Sequence, residues 1–169
     1  DMEHSQPGRK KSLVEPYIID DVLVLTLGDA VWTIDVFARS GSPRQVAKLD
    51  AGWSFQGGVH PIARAGVDVC KVQLVALVVN RNGETGVALI TPRRTEKYDR
   101  ITCDPNQAWT ARIASNLTAA GFSGANRIVT LHERVLIFGG GPCGPCVQMQ
   151  LLEDSTLSPA TTLEKRRVI

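Results

Sequence analysis

The segment "VDVCKVQLVALVVN" (67–80) restricts the fold of this chain more than any other stretch. It begins by alternating, with Lys71 and Gln73 outward, and becomes wholly apolar from Leu74 to Val79. Alternation with period two marks a half-covered strand, and a continuous aliphatic run marks a strand covered on both faces. Such a strand belongs at the centre of a sheet. "NRNGETG" then turns the chain back into "VALIT" (87–91), a hairpin about Asn82-Gly83.

Other hairpins follow from the same signals. "YIIDDVLVLTL" (17–27) and "AVWTIDVFA" (30–38) are rich in β-branched and aromatic residues, and Gly28-Asp29 between them predicts a tight turn. In the second run the alternation assigns Trp32, Ile34, Val36 and Ala38 to the core face. Brief strands are expected around Val46 to Leu49 and Trp53 to Phe55 within a Gly-, Pro- and Ser-rich stretch. "RIVTL" (127–131) and "RVLIF" (134–138) read as strands on either side of a turn at His132-Glu133. "ATTLEKRRVI" reads as a last strand, "VQMQLLED" (147–154) as a short helix, and "PRRTEKYDR" (92–100) as a surface connection.

One amphipathic helix is expected over 104–120. Asp104 has the chemistry of an N-cap, Pro105 suits the first helical position, and Gln107 completes a capping box. Trp109, Ile113, Leu117 and Ala120 recur at helical spacing, and Gly121 supplies the stop. The expected fold class is therefore α+β and β-rich, a mainly antiparallel sheet of hairpins with this helix packed on it. A single globular domain is expected over 13–169, preceded by a flexible basic arm over 1–12 that has nothing apolar to offset its ordering.

Composition narrows the function classes. The 169 residues carry 19 Lys and Arg against 17 Asp and Glu, a net charge of +2, so nucleic-acid binding through phosphate contacts is not supported. No apolar stretch approaches the ~20 residues of a membrane-spanning helix, and "DMEHSQPGRKKS" lacks the apolar centre of a signal peptide. The expectation is a soluble, cytoplasmic protein with no membrane association. In a reducing compartment cysteines suggest metal or no role rather than disulfides. Cys70 lies in an apolar run and reads as core, which leaves Cys103, Cys143 and Cys146 as a candidate zinc set. The Asn-Leu-Thr sequon at Asn116 is read as coincidental.

"RVLIFGGGPCGPC" (134–146) resembles three families at once. Gly139, Gly141 and Gly144 behind a strand, with Glu164 further on, resemble the dinucleotide-binding turn of flavoproteins. Against this, the chain before the motif reads as antiparallel hairpins, and Pro145 falls where a helix should run. Cys143-Gly144-Pro145-Cys146 resembles the thioredoxin motif, but only 23 residues follow it. The order hairpin, Cys103, strand, then Pro142-Cys143 and Cys146 is similar to the zinc-binding half of nucleoside deaminases. The catalytic glutamate which that resemblance implies would fall at Pro105. A plain tight turn, with Gly and Pro setting the backbone, explains the same residues.

With no complete catalytic set, the favoured expectation is a non-enzymatic β-rich domain that works by protein–protein contact, as an assembly subunit or adaptor. No cofactor is then required. Its partner is another protein or a second copy, met by Arg9, Lys10 and Lys11 at one end and Lys165, Arg166 and Arg167 at the other. The alternative is a zinc-binding, deaminase-like protein without the usual glutamate.

Overall fold

A computed structural model describes residues 15–63, 72–97, 100–139 and 146–163. The described residues form strands and turns only. Strands β1 (Tyr17–Ile19), β2 (Val22–Leu27), β3 (Ala30–Asp35) and β4 (Arg44–Lys48) make a first sheet in chain order, each antiparallel to the next. In the second sheet β5 (Trp53–Phe55) and β6 (His60–Ile62) pair with opposite halves of β7 (Gln73–Asn80) and so act as one interrupted edge strand. That sheet continues through β8 (Thr85–Thr91) to β11 (Thr110–Asn116), with the hairpin β9 (Arg94–Lys97) and β10 (Arg100–Cys103) inserted between them. Gly86 allows β8 and β11 to approach closely, since a Cβ there would stand 2.6 Å from the Ser115 carbonyl oxygen. The third sheet is again in chain order: β12 (Ala125–Leu131), β13 (Arg134–Gly139), β14 (Cys146–Gln150) and β15 (Thr161–Thr162).

The three meanders stack face on face, and the second is the middle layer. Leu74, Ala76 and Ile90 of the second sheet share a buried cluster with Val22, Val24, Val31 and Val46 of the first. Their neighbours in sequence, Val75, Leu77, Val87 and Leu89, point the other way and pack with Val135, Ile137, Val147 and Met149 of the third. The apolar run 74–79 therefore is what its pattern predicted, a strand with both faces covered. Each of its large side chains gains about 1.5–3 kcal/mol by leaving water. Strand β4 lies against β11, and β12 lies against β6 and β7. The last strands of the first and second sheets are thus neighbours, and so are the first strands of the second and third, while β2 also touches β5.

The expected helix over 104–120 is not formed, and the fold is all-β. Asp104 does accept a backbone N–H, but it is that of Asn106 at 2.8 Å, closing a turn rather than capping a helix. The Trp109 N–H then bonds the Val46 carbonyl of β4 at 2.8 Å, and residues 110–116 pair with β8. The apolar positions 109, 113 and 117 are four apart, as one face of a helix would have them, but here Trp109 lies in the cluster shared with the first sheet and Leu117 in the one shared with the third, the register shifting between Ile113 and Ser115. Residue 111 decides for the strand: Ala111 and Ile113, two apart on β11, pack into one cluster with Leu49, Val78 and Ala88. Gly121, at φ 94°, ends a loop turn.

Three smaller expectations change with it. "VQMQLLED" opens as β14, whose Val147 and Met149 are buried while Gln148 and Gln150 are less so. The connection 92–100 contributes the inserted hairpin. In β3 Val31 and Thr33 are buried, at 0% and 1% exposure, and so is the small Ala30, whereas Trp32 and Ile34 are partly exposed and Val36, just beyond the strand, is exposed. The alternation was legible, but the covered face is the other one, because the second sheet packs on the side carrying the smaller, β-branched residues.

Candidate interaction surfaces

The face of the first sheet turned away from the second is built from its largest apolar residues. Cross-strand registers set Ile18 beside Leu23, Leu23 beside Ile34, and Leu25 beside Trp32, and Leu27 continues the row. Ile18 is 64% exposed and Leu27 58%, with Leu23, Leu25, Trp32 and Ile34 intermediate. The "VLVLTL" of β2 is thus apolar at both parities, the signature also carried by β7. Among the described residues both parities of β7 are covered, and only one of β2 is.

The far face of the third sheet has the same character. Val129 opposes Leu136, and Phe138 opposes Cys146, with Leu131 at the end of β12. Leu131 is 58% exposed and Phe138 36%. Arg127, Arg134, Gln148 and Gln150 fall on this face around the apolar centre, an arrangement of apolar middle and polar rim common at protein interfaces.

The two cysteines that the structure describes are not brought together. Cys103 is a buried thiol in the layer between first and second sheets, and its N–H donates to the Asp20 carboxylate at 3.3 Å. Cys146 is a half-buried thiol on β14, opposite Phe138 on the third sheet, and burial pushes its pKa up. Among the described residues no group of three or more His, Cys, Asp or Glu is placed to hold a metal ion. Cys70, Cys143, the Gly-rich stretch 140–145, Glu164, and the expected partner residues Arg9, Lys10, Lys11, Lys165, Arg166 and Arg167 lie outside the described residues.

Two concavities mark the seams between layers. One, of about 600 Å³, lies between the second and third sheets, where Glu15, His60 and Arg127 approach the edge of β12. Burial lowers the His60 pKa, and the Glu15 carboxylate opposes that shift. The other, of about 580 Å³, lies where the inserted hairpin meets the first sheet, and Asp20, Asp21, Asp35 and Asp104 line it beside Phe37. The turn after that hairpin is tied down by Thr33 Oγ1, which donates to the Pro105 carbonyl at 2.8 Å, and by Arg44, which donates to the Asn106 carbonyl at 2.9 Å.

The sequon asparagine is structural. Asn116 Nδ2 donates to Glu84 at 2.9 Å, and Asn80 Nδ2 donates to the other carboxylate oxygen at 3.2 Å. These two bonds hold the Glu84 carboxyl below its ordinary range.

The chain matches no protein-family model, no curated protein and no solved structure. Among the described residues no helix is long and apolar enough to cross a membrane.

Proposed function

We propose that this is a contact domain, a stack of sheets whose two end faces each seat a further sheet of similar build. It works as an assembly subunit or adaptor and needs no cofactor. The observation that carries the reading is the pairing of Leu25 with Trp32 on one end face and of Val129 with Leu136 on the other. These faces have the two-sided apolar pattern of the middle sheet and, among the described residues, only one covered side. Monomeric proteins seldom leave contiguous apolar surface of this kind open, and where they do it marks an interaction site. Consecutive four-stranded antiparallel sheets stacked with like strands aligned resemble the blades of a propeller, where every blade face is covered by the next.

The test is thermodynamic. Trp32→Lys and Leu136→Glu, measured in dilute protein, should each change unfolding free energy by less than about 1 kcal/mol, the scale of lost cross-strand contacts on an open face. They should also abolish association. A loss of ~2–5 kcal/mol in dilute protein, as expected for a core residue, would overturn the reading, because the face would then be covered within the chain itself.

A further inference from the structure

The edge of the third sheet formed by β12 opens into the concavity between the second and third sheets. The ladder shows which of its backbone groups face that gap. The Glu133 carbonyl accepts the Leu151 N–H, so the odd-numbered residues of β13 turn their amides and carbonyls to β14 and the even-numbered ones turn theirs to β12. Arg134, Leu136 and Phe138 pair with Leu131, Val129 and Arg127, which are therefore the bonded residues of β12. Thr130 and Ile128 turn their amides and carbonyls the other way, into the gap. The His132 carbonyl points the same way and is taken by the Ala63 N–H at 3.2 Å. Beyond that pin, among the described residues, nothing bonds the outward groups of Thr130 and Ile128. The opposite wall cannot fill them. The Gln56 N–H bonds the Leu77 carbonyl, so Leu77, Val75 and Gln73 face the β5 and β6 edge, and His60 and Ile62 bond back to β7. Pro61 is left turned outward, and proline has no N–H to give.

We propose that β12 receives an extended peptide segment of a partner protein as an added strand, held by main-chain bonds to Ile128 and Thr130. Unpaired backbone donors and acceptors two residues apart are what an extended chain matches, and in this mode main-chain bonds give affinity while alternate side chains give specificity. The other sheet edges are short, blunted or occupied: β1 and β15 hold three and two residues, β6 carries Pro61, and β4 and β11 lie against each other. The seven-residue β12 has no such protection over 128–130. The gap of about 600 Å³ is bounded by Gln56, Gly57, Gly58 and His60 on one side and by residues 126–130 on the other. Ile128 points between the sheets into the cluster that holds Leu77, and the residue set opposite it on an added strand points the same way. That position of the peptide takes an apolar side chain. The site is separate from the two end faces and does not depend on the contact reading.

The experiment selects random-sequence peptides displayed on phage against the full chain and measures their binding as free peptides. Selected peptides should bind Thr130→Val as they bind wild type, since that change keeps the outward N–H. They should bind Thr130→Pro at least about tenfold more weakly, because the donor is lost and the ring stands in the path of the strand. Thr130→Pro should melt close to wild type, because that N–H takes no part in the β12 and β13 ladder. Amide exchange gives a second reading that needs no variant. The Thr130 and Ile128 amides should exchange faster than those of Val129 and Leu131 in the free protein, and should slow once a selected peptide is bound. The proposal is overturned if selection yields no binding peptide, if the peptides bind Thr130→Pro as tightly as wild type, or if the outward amides are already as slow as their neighbours. Trp32 and Leu136 do not line the gap, so the variants that test the end faces judge that reading separately.

Discussion

Leu25 and Trp32 stand directly opposite each other across the β2 and β3 pair, on the face of the first sheet that the second sheet does not cover. The next residue back along β2, Val24, points to the covered side and is fully buried. A register slip of one residue would exchange the two sets, placing Leu23 and Leu25 inside and Val22 and Val24 outside.

That register separates two classes of substitution. Leu89→Ala and Ile90→Ala remove adjacent residues that point into different clusters, one shared with the third sheet and one with the first. Each should cost ~2–5 kcal/mol, through lost transfer energy and the cavity left behind. Leu25→Ala should cost less than about 1 kcal/mol in dilute protein. Urea denaturation of the three variants checks the order, and equal losses would mean that the open face is part of the core.

Trp109 serves as a peg between the first and second sheets. It is 5% exposed, and its indole Nε1 donates to the Asp104 carbonyl at 2.7 Å. Trp109→Ala should destabilise by ~3–5 kcal/mol. Trp109→Phe keeps most of the volume but strands a buried acceptor, for about 1–3 kcal/mol. Thermal unfolding of both variants tests this, and a silent Trp109→Phe would show that the carbonyl has another donor.

Much of the β architecture was legible because strands announce themselves locally. The hairpins at Gly28-Asp29, Asn82-Gly83 and His132-Glu133 all follow from turn residues between apolar runs, and Gly28 and Gly83 sit at positive φ as those turns demand. What misled was periodicity sampled too sparsely: positions 109, 113 and 117 have helical spacing, yet Trp109 and Leu117 end in opposite layers because the β11 register shifts between Ile113 and Ser115, and Asp104 with Pro105 begins a turn with the same chemistry that begins a helix. The open faces were visible in part, since "VLVLTL" and "RVLIF" are apolar at both parities. Which parity is covered depends on where another sheet lies, and no local signal carries that. The cysteine set failed to suggest its own geometry for the same reason, with Cys103 and Cys146 assigned to different layers only by sheet order.

Acid should destabilise the fold partly through His60. Burial lowers its pKa in the folded state below the unfolded value of about 6.5. The neutral imidazole is then favoured by folding, so its contribution is fully present above pH ~6.5 and is lost as pH falls through the folded value. His60→Asn should flatten the stability profile in that window. An identical pH dependence in the variant would show that His60 is equally solvated in both states.

Metal content separates the contact reading from the zinc one. If Cys103 and Cys146 serve no metal, Cys146→Ser should leave the melting curve unchanged and a chelator should have no effect on it. One zinc per chain by elemental analysis, lost with Cys103→Ser and accompanied by unfolding, would establish a structural site.

The most direct test of the two end faces is side-chain oxidation by hydroxyl radicals, read residue by residue at increasing protein concentration. Leu23, Leu25, Trp32, Val129, Leu136 and Phe138 should become protected together as assembly proceeds, while Phe37, 77% exposed and beside the acidic concavity, stays fully reactive. Oxidation of Trp32 and Leu136 that remains high at the highest concentration, in protein that is folded throughout, would contradict an assembly role for these faces.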